Sequence, residues 1–241
     1  MKISVHAGHN PDGKIGSGAV GLIKESTEAR KVTKYVVKYL KQAGHTVFND
    51  TVNNGKSQSD VLNKIVAKIN AHNVDLAVSL HFNAGVGDYK GNNKVTGTEV
   101  YVYALNQKPK AVASKVTNEI SKLGFENRGV RERKDLYVLN ATNAPAMLVE
   151  CCFVDDKDDI NIYNAKKMAQ AIVLGILNSY GVQTYTAKKK INSFNLKLKK
   201  NGTIKKAEIC QIDKFRFVNG YLLGHRKKAN TWAKIKYLKL K

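Results

Sequence analysis

The sequence predicts an α/β fold in which a mixed, mostly parallel twisted sheet is flanked by helices and followed by a small C-terminal β (SH3-like) module. Up to about residue 181, short apolar stretches alternate with longer amphipathic segments, which is typical of a sheet covered by helices on both sides. Beyond residue 192, shorter stretches of β-forming residues are separated by Asn-Gly pairs, which favour tight hairpins. We therefore divide the chain into a first domain at 1–181, a linker at 182–192 and a basic β module at 193–241.

The first half of the first domain contains two predicted strands and two predicted helices. Ile3–Val5 is a short, edge-like strand. Helices follow over about 26–43 and 59–70, because apolar residues recur there at intervals of three and four. Gly44 ends the first helix, as glycine commonly does. Val74–Leu80 is nearly continuous in apolar character, which indicates a strand buried on both faces.

The second half of this domain continues the alternation of strands and helices. Thr98–Tyr103 alternates apolar and polar residues, as a half-buried strand does. A helix is predicted over about 109–123, and a last helix over about 156–180. Two short apolar runs, Leu136–Leu139 and Met147–Val154, are predicted to be strands.

The C-terminal segment differs in composition. A run of lysines at 188–190 indicates the linker, and Asn-Gly pairs at 201/202 and 219/220 predict hairpin turns. The chain has a net charge of +22, and residues 183–241 hold 17 Lys+Arg against Glu208 and Asp213, a local excess of +15. Such an excess predicts a polyanionic partner, for which nucleic acid, anionic lipid and anionic wall polymer all qualify.

The cysteine content and the lack of long apolar stretches argue against a disulfide-rich or membrane-spanning protein. The three cysteines, two of them adjacent, imply no disulfide framework. No stretch reaches the ~18 apolar residues of a membrane span, and the amino end lacks the apolar segment of a secretion signal. We therefore expect a protein made in the cytoplasm without a signal peptide and without a membrane span. The sequence specifies no oligomeric state.

Four side chains suggest a chemical site at one edge of the predicted sheet. His9 follows the first strand, Glu25 begins the first helix, His81 ends the central strand, and Glu150 lies inside an apolar segment. A carboxylate in such a segment is costly unless it is paired, bound to a metal or used for proton transfer. Two imidazoles and a carboxylate form a familiar catalytic zinc set that keeps a fourth position for water.

Simpler interpretations exist for each of these residues. His81 is also consistent with a core histidine, and Glu150 with a strand-end residue that faces water. The spacing is dispersed, without the HExxH or CxxC pattern of compact zinc sites.

Five motifs in order resemble those of the zinc-dependent N-acetylmuramoyl-L-alanine amidases of the type 3 family, found in phage endolysins and autolysins. The resemblance covers about residues 1–180. The motifs are Ala7-Gly8-His9, Glu25 at a helix start, Ser79-Leu80-His81-Phe82-Asn83-Ala84, Arg128-Gly129-Val130 and Pro145-Ala146-Met147-Leu148-Val149-Glu150.

The resemblance implies that His9, Glu25 and His81 hold Zn²⁺ and that Glu150 acts as general base and then general acid. Glu28, one helical turn beyond Glu25, and His6 are competing candidates for ligands. The reaction implied is hydrolysis of the amide between N-acetylmuramic acid and the L-alanine of the stem peptide in bacterial peptidoglycan. Arg128, Arg131 and Arg133 are candidates to meet stem-peptide carboxylates, or are only solvated on a loop.

The whole chain then resembles an enzyme with an attached wall-binding module. The basic module is expected to bind anionic wall polymers or glycan, and the protein to act at the cell wall after lytic release. Two alternatives remain, a zinc peptidase that cuts the stem peptide and a basic nucleic-acid-binding protein. The second leaves His9, His81 and Glu150 without a role, so we expect no nucleic-acid partner.

Overall fold

The computed structural model describes residues 1–106, 108–195 and 198–241. The strands of the first sheet are β1 (Lys2–Ala7), β2 (Thr46–Asn49), β3 (Leu76–Asn83), β4 (Thr98–Val102), β5 (Asn127–Glu132) and β6 (Ala146–Phe153). The helices are α1 (Glu25–Gln42), α2 (Gln58–His72), α3 (Pro109–Ser121), α4 (Tyr137–Asn140), α5 (Lys157–Ile162) and α6 (Ala165–Ser179). None of the helices in the described parts of the chain combines the length and apolar character that a membrane crossing requires.

The six strands form one mixed sheet in the order β2-β1-β3-β6-β4-β5. Strands β2, β1, β3 and β6 are parallel to one another, whereas β4 runs antiparallel to β6 and β5 runs parallel to β4. The predicted fold class, a mostly parallel α/β sheet flanked by helices, is therefore confirmed. The carboxyl ends of β1, β3 and β6 meet at one edge, which is where α/β sheets place their sites.

Two apolar layers cover the sheet. Alternate residues of a strand face opposite sides, so Val78 and Leu80 pack with α1, α3 and α6, whereas Ala77 packs with α2 and α4. The second layer is smaller because α4 is a single turn. The face that carries α2 and α4 is consequently the more open one beyond β6.

Four predictions for the first domain need correction. Leu136–Leu139 is not a strand, because Tyr137–Asn140 forms α4, and a short apolar run fits either structure. The strand β1 is not at an edge, because the unpredicted β2 pairs alongside it. The arginine segment lies on β5 rather than on a loop. The last helix is two helices, since Asn164 caps α6.

An antiparallel sheet forms the C-terminal part of the chain, in the order β13-β7-β10-β11-β12-β8-β9. Its strands are β7 (Gln183–Ala187), β8 (Ile191–Phe194), β9 (Lys200–Ile204), β10 (Ile209–Val218), β11 (Tyr221–Arg226), β12 (Thr231–Lys234) and β13 (Leu238–Leu240). This sheet fits the predicted small β module, while its SH3-like character stays a prediction.

The segment predicted as a linker, 182–192, is part of this sheet. Strand β7 pairs with both β10 and β13, and Tyr185 is fully buried with its hydroxyl donating to the Ala43 carbonyl at 2.8 Å. The run of lysines at 188–190 suggested a solvated linker, whereas Tyr185 and Ala187 alternate inward as strand residues do. The prediction of a linker therefore needs correction, and β7 ties the sheet to the end of α1.

One of the two predicted hairpin turns is present. Asn219 and Gly220 both have positive φ, 48° and 76°, and join β10 to β11, as a tight hairpin requires. Asn201-Gly202 is instead inside β9, so that prediction is wrong. Gly202 pairs with Ser193, and a Cβ at Gly202 would lie 2.7 Å from Ser193 Oγ. This glycine therefore serves close strand packing.

Candidate active site

Three predicted metal ligands come together at the carboxyl edge of the first sheet. His9 follows β1, Glu25 is the first residue of α1, and His81 lies near the end of β3. Glu25 Oε1 is 3.2 Å from His9 Nε2 and 3.0 Å from His81 Nδ1. The two imidazole rings are 4.8 Å apart between centroids and nearly perpendicular. The three donors therefore surround one point.

The backbone fixes the Glu25 carboxylate. Its Oε2 accepts a hydrogen bond from the Ala19 amide at 2.8 Å, and its Oε1 accepts one from the Phe82 amide at 3.1 Å. Burial favours the protonated acid, but the hydrogen bonds to His81 and His9 outweigh it and hold the pKa of Glu25 well below its ordinary value. Glu25 is consequently an anion, the form that binds a cation.

These residues fit a zinc ion. Two ligands bound at about 2.0–2.1 Å in a tetrahedral arrangement lie about 3.3 Å apart, close to the separations of Glu25 from the two histidines. His81 Nε2 lies 3.0 Å from Ser79 Oγ, the kind of outer contact that orients a metal-binding imidazole. Burial lowers the pKa of His81, which favours the neutral form that a metal ligand needs.

Gly18 makes room for this cluster. Its φ is +79°, and a Cβ there would lie 2.4 Å from Glu25 Oε2 and 2.8 Å from His9 Cδ2. We expect Gly18→Ala to displace Glu25 and His9 and so to weaken zinc binding at least as much as a change in the outer shell does, about 10- to 100-fold, measured by competition with a chelator. Gly13→Ala is the matched control, because Gly13 has φ +78° and open space around it. Equal zinc affinity in the two variants would contradict this role.

Glu150 lies next to the cluster on the same face of the sheet. It is the register partner of His81 across β3 and β6. Its Oε2 is buried and has no hydrogen-bond partner among the described residues. Burial raises the pKa of the Glu150 carboxyl well above its ordinary value, and Glu25 and Glu99 raise it further. A carboxyl with such a pKa is suited to proton transfer.

The competing candidates do not join the cluster. Glu28 accepts from Lys31 at 2.6 Å and from the Tyr163 hydroxyl at 3.1 Å. His6 is fully buried on β1, and burial together with His81 lowers its pKa to about 3, so it is neutral. Cys151 and Cys152 are buried free thiols whose pKa values burial raises well above the ordinary value.

Glu99 is a further buried residue of the site, and the sequence patterns did not predict it. This carboxylate is 2% exposed and lies beside Glu150 in the register of β4 and β6. Its Oε1 accepts from Asn83 Nδ2 at 2.8 Å and from the Tyr101 hydroxyl at 2.7 Å. The sequence did contain a signal for this residue, namely an acid inside the predicted strand at 98–103. Burying such an acid is as costly as burying Glu150.

A protein family and several known proteins match this chain. The profile of the Amidase_3 family, N-acetylmuramoyl-L-alanine amidase, matches residues 3–201. An uncharacterized protein of Clostridium perfringens is 39% identical over 167 residues, which cover 69% of this chain and 48% of that protein. The endolysin of Bacillus phage SPP1 is 32% identical over 163 residues, which cover 64% of this chain and 55% of the endolysin. This chain thus spans about half the length of these two relatives.

A solved structure is similar over the same region. The catalytic domain of the CD27L endolysin, which targets Clostridia difficile, superimposes with a TM-score of 0.66 at 27% identity. The match covers 74% of this chain and 97% of that domain.

Proposed function

The chain belongs to the Amidase_3 family of N-acetylmuramoyl-L-alanine amidases, and from this premise we propose that it hydrolyses peptidoglycan. The bond cut is the amide between N-acetylmuramic acid and the L-alanine of the stem peptide. The observation that supports this reaction is the convergence of His9, Glu25 and His81 on one point, with Glu150 on the neighbouring strand. A three-ligand metal site with a separate carboxyl for proton transfer is suited to metal-assisted hydrolysis.

His9, Glu25 and His81 are the residues that would hold Zn²⁺. When bound, Zn²⁺ supplies Lewis acidity, which activates water and polarises the carbonyl of the scissile amide. The two imidazoles contribute neutral donors and Glu25 contributes one negative charge, so the site keeps a net positive charge toward the substrate. Exposures of 16% for the His9 side chain and 12% for that of His81 leave an approach from solvent.

Glu150 supplies the proton transfers. Its carboxylate removes a proton from the attacking water and returns it to the nitrogen of the leaving L-alanine, so the acid ends each cycle in its starting form. Its buried Oε2, which has no hydrogen-bond partner in the described ranges, can take part in this exchange. Its pKa is raised above that of an ordinary glutamic acid. A general acid or base is most effective when its pKa lies near the working pH.

Product analysis tests the proposed reaction. Purified peptidoglycan is digested with the zinc-loaded protein, and new amino termini are labelled and identified. Amidase activity produces amino-terminal L-alanine on intact stem peptides. New termini elsewhere in the peptide would instead identify a zinc peptidase and overturn the proposal.

The pH dependence follows from the raised pKa of Glu150. The base must be ionised, so kcat/KM should fall as pH is lowered through the pKa of Glu150. Glu99 raises the pKa of Glu150, so Glu99→Gln should move the midpoint of this fall to lower pH. Zinc content is measured at each pH as the control. An unchanged or higher midpoint at full zinc occupancy would contradict the assignment.

We further propose that the C-terminal sheet binds anionic polymers of the cell wall. Three lysines and two tyrosines form a lysine–tyrosine strip, defined as Lys189, Tyr221, Lys234, Lys236 and Tyr237. Lys234 Nζ lies 3.8 Å from the centroid of Tyr221, and Lys236 Nζ lies 4.8 Å from that of Tyr237. No carboxylate pairs with these three lysines in the described ranges. Their charges remain available to a polyanion.

Wall pelleting tests this binding surface. We expect Lys234→Gln with Lys236→Gln to weaken wall binding about 10- to 30-fold, from about 1 kcal/mol for each lysine near an anionic surface. Lys227→Gln with Lys228→Gln removes the same charge from two exposed residues outside the strip and is the control. Equal losses in both double variants would show that net charge alone drives binding. Tighter binding to DNA than to wall would favour a nucleic-acid partner instead.

A further inference from the structure

A row of ionisable side chains crosses four strands at the edge of the active site. His81 on β3 pairs in register with Glu150 on β6, and Glu150 pairs with Glu99 on β4. Side chains at paired positions lie on the same face of a sheet. The next strand is β5, which carries Arg128 and Arg131. The row thus runs from the candidate metal ligands, past the candidate base, to two arginines.

A bulge in β5 turns both arginines toward Glu99. Thr98 pairs with Asn127 and Val100 with Val130, so Arg128 and Gly129 together oppose Glu99. Gly129 has a φ of +84°, as a glycine in a bulge commonly does. After the bulge, Arg131 is the partner of Tyr101, which shares a face with Glu99.

Glu99 holds the two guanidinium groups without neutralising both. Its Oε2 is 3.4 Å from Arg128 Nε and 3.2 Å from Arg131 Nε. One carboxylate against two guanidinium groups leaves one positive charge. The ring of Phe153 supports Arg128, whose guanidinium carbon is 5.2 Å from the ring centroid. The pair is therefore positioned before any ligand arrives.

The Nη donors of this pair are available to a ligand. Within the described part of the chain, neither Arg128 nor Arg131 donates a hydrogen bond through Nη. The side chains are 31% and 54% exposed, whereas Glu99 beneath them is 2% exposed. Arg133 differs, because both Nε and Nη2 are engaged by Asp135, at 2.7 and 2.6 Å. Arg128 and Arg131 thus form the cationic end of the row, and their Nη groups can bind a ligand.

The spacing matches an extended peptide. Neighbouring strands are about 4.8 Å apart, so β5 lies about 10 Å from the strand of Glu150. An extended chain covers about 3.3–3.6 Å per residue, and the arginine side chains shorten the gap by reaching over Glu99. When the stem peptide extends from the scissile bond along this row toward β5, its second residue lies next to the arginines. A carboxylate is the group that guanidinium forks bind with paired hydrogen bonds.

We propose that Arg128 and Arg131, held by Glu99, form a subsite for a free carboxylate on the second residue of the stem peptide. This subsite rests on the proposed amidase function and adds a substrate preference and a direction of binding to it. The glycan then extends from the scissile bond toward the opposite side, away from β5. Arg133 is not part of the subsite.

Two substrates that differ by one charge test the subsite. Both are N-acetylmuramoyl tripeptides with an amidated C-terminus, and the second residue carries a free carboxyl in one and the corresponding amide in the other. We expect the native protein to favour the acidic tripeptide about 10-fold or more in kcat/KM, as expected for a hydrogen-bonded charge. The double variant Arg128→Gln, Arg131→Gln should bring that ratio to about one. The control Arg133→Gln should keep the native ratio.

Failure of the subsite and failure of the proposed function are separable. The subsite is overturned if the native protein shows no preference, if the double variant keeps it, or if Arg133→Gln loses it equally. Cleavage of neither tripeptide by the native protein would instead contradict the amidase reaction. Calorimetric binding of the two tripeptides to the zinc-loaded protein then decides the subsite, which requires at least 10-fold tighter binding of the acidic one.

Discussion

Glu150→Gln should lower kcat at least 100-fold while the protein still binds zinc. General acid–base catalysis contributes about 10²- to 10⁴-fold, and glutamine keeps the shape of the side chain but cannot exchange the proton. The three candidate ligands His9, Glu25 and His81 are untouched, so zinc content should equal that of the native protein. Turnover is measured with a defined N-acetylmuramoyl peptide, and zinc by elemental analysis of the dialysed protein.

The stability of this variant distinguishes chemistry from folding. Burial raises the pKa of Glu150 in the folded protein, so ionising this group at neutral pH costs folding free energy that neutral glutamine does not. We therefore expect an unchanged or higher melting temperature. Glu119→Gln is the matched control, because Glu119 lies on α3 outside the candidate site and pairs with Lys122 at 2.6 Å. Native turnover in Glu150→Gln would remove this residue from the reaction.

His81→Ala should lose both zinc and turnover. The substitution removes one of three ligands and the imidazole that lies 3.0 Å from Glu25 Oε1. Lewis acidity is worth several kcal/mol to a hydrolytic transition state, so kcat/KM should fall by about 10³-fold or more. Zinc affinity, measured by chelator competition, should fall more than the about 10- to 100-fold that an outer-shell partner contributes.

A second histidine provides the control for this loss. His72 ends α2, lies 3.2 Å from Asp50 and stacks on Phe48, and it does not belong to the group formed by His9, Glu25 and His81. His72→Ala should keep zinc and turnover even if it lowers the melting temperature. Full zinc occupancy in His81→Ala would show that the metal uses other ligands.

Local sequence patterns predict some residues of the candidate site but not others. His81 could be placed from the sequence because an apolar strand leads directly into it, and Glu150 because an acid interrupts an apolar run. Glu25 and Glu28 could not be separated by pattern, since both lie in the first turn of α1. Contacts with Phe82 and Ala19 orient Glu25 to the histidines, whereas Tyr163 engages Glu28. Phe82 and Tyr163 are both distant in sequence from the glutamates that they contact.

The sequence by itself determined the α/β class, the basic C-terminal β region and the residue types offered for the candidate site, because periodicity, charge and residue type are local properties. The tertiary structure alone decided that β7 is a paired strand, that Glu99 lies beside Glu150, and that a bulge brings Arg128 and Arg131 to Glu99. Strand order and register join residues far apart in the chain, and a shift of one residue moves a side chain to the opposite face. Packing across the whole sheet fixes the register, and the register decides on which face each side chain lies.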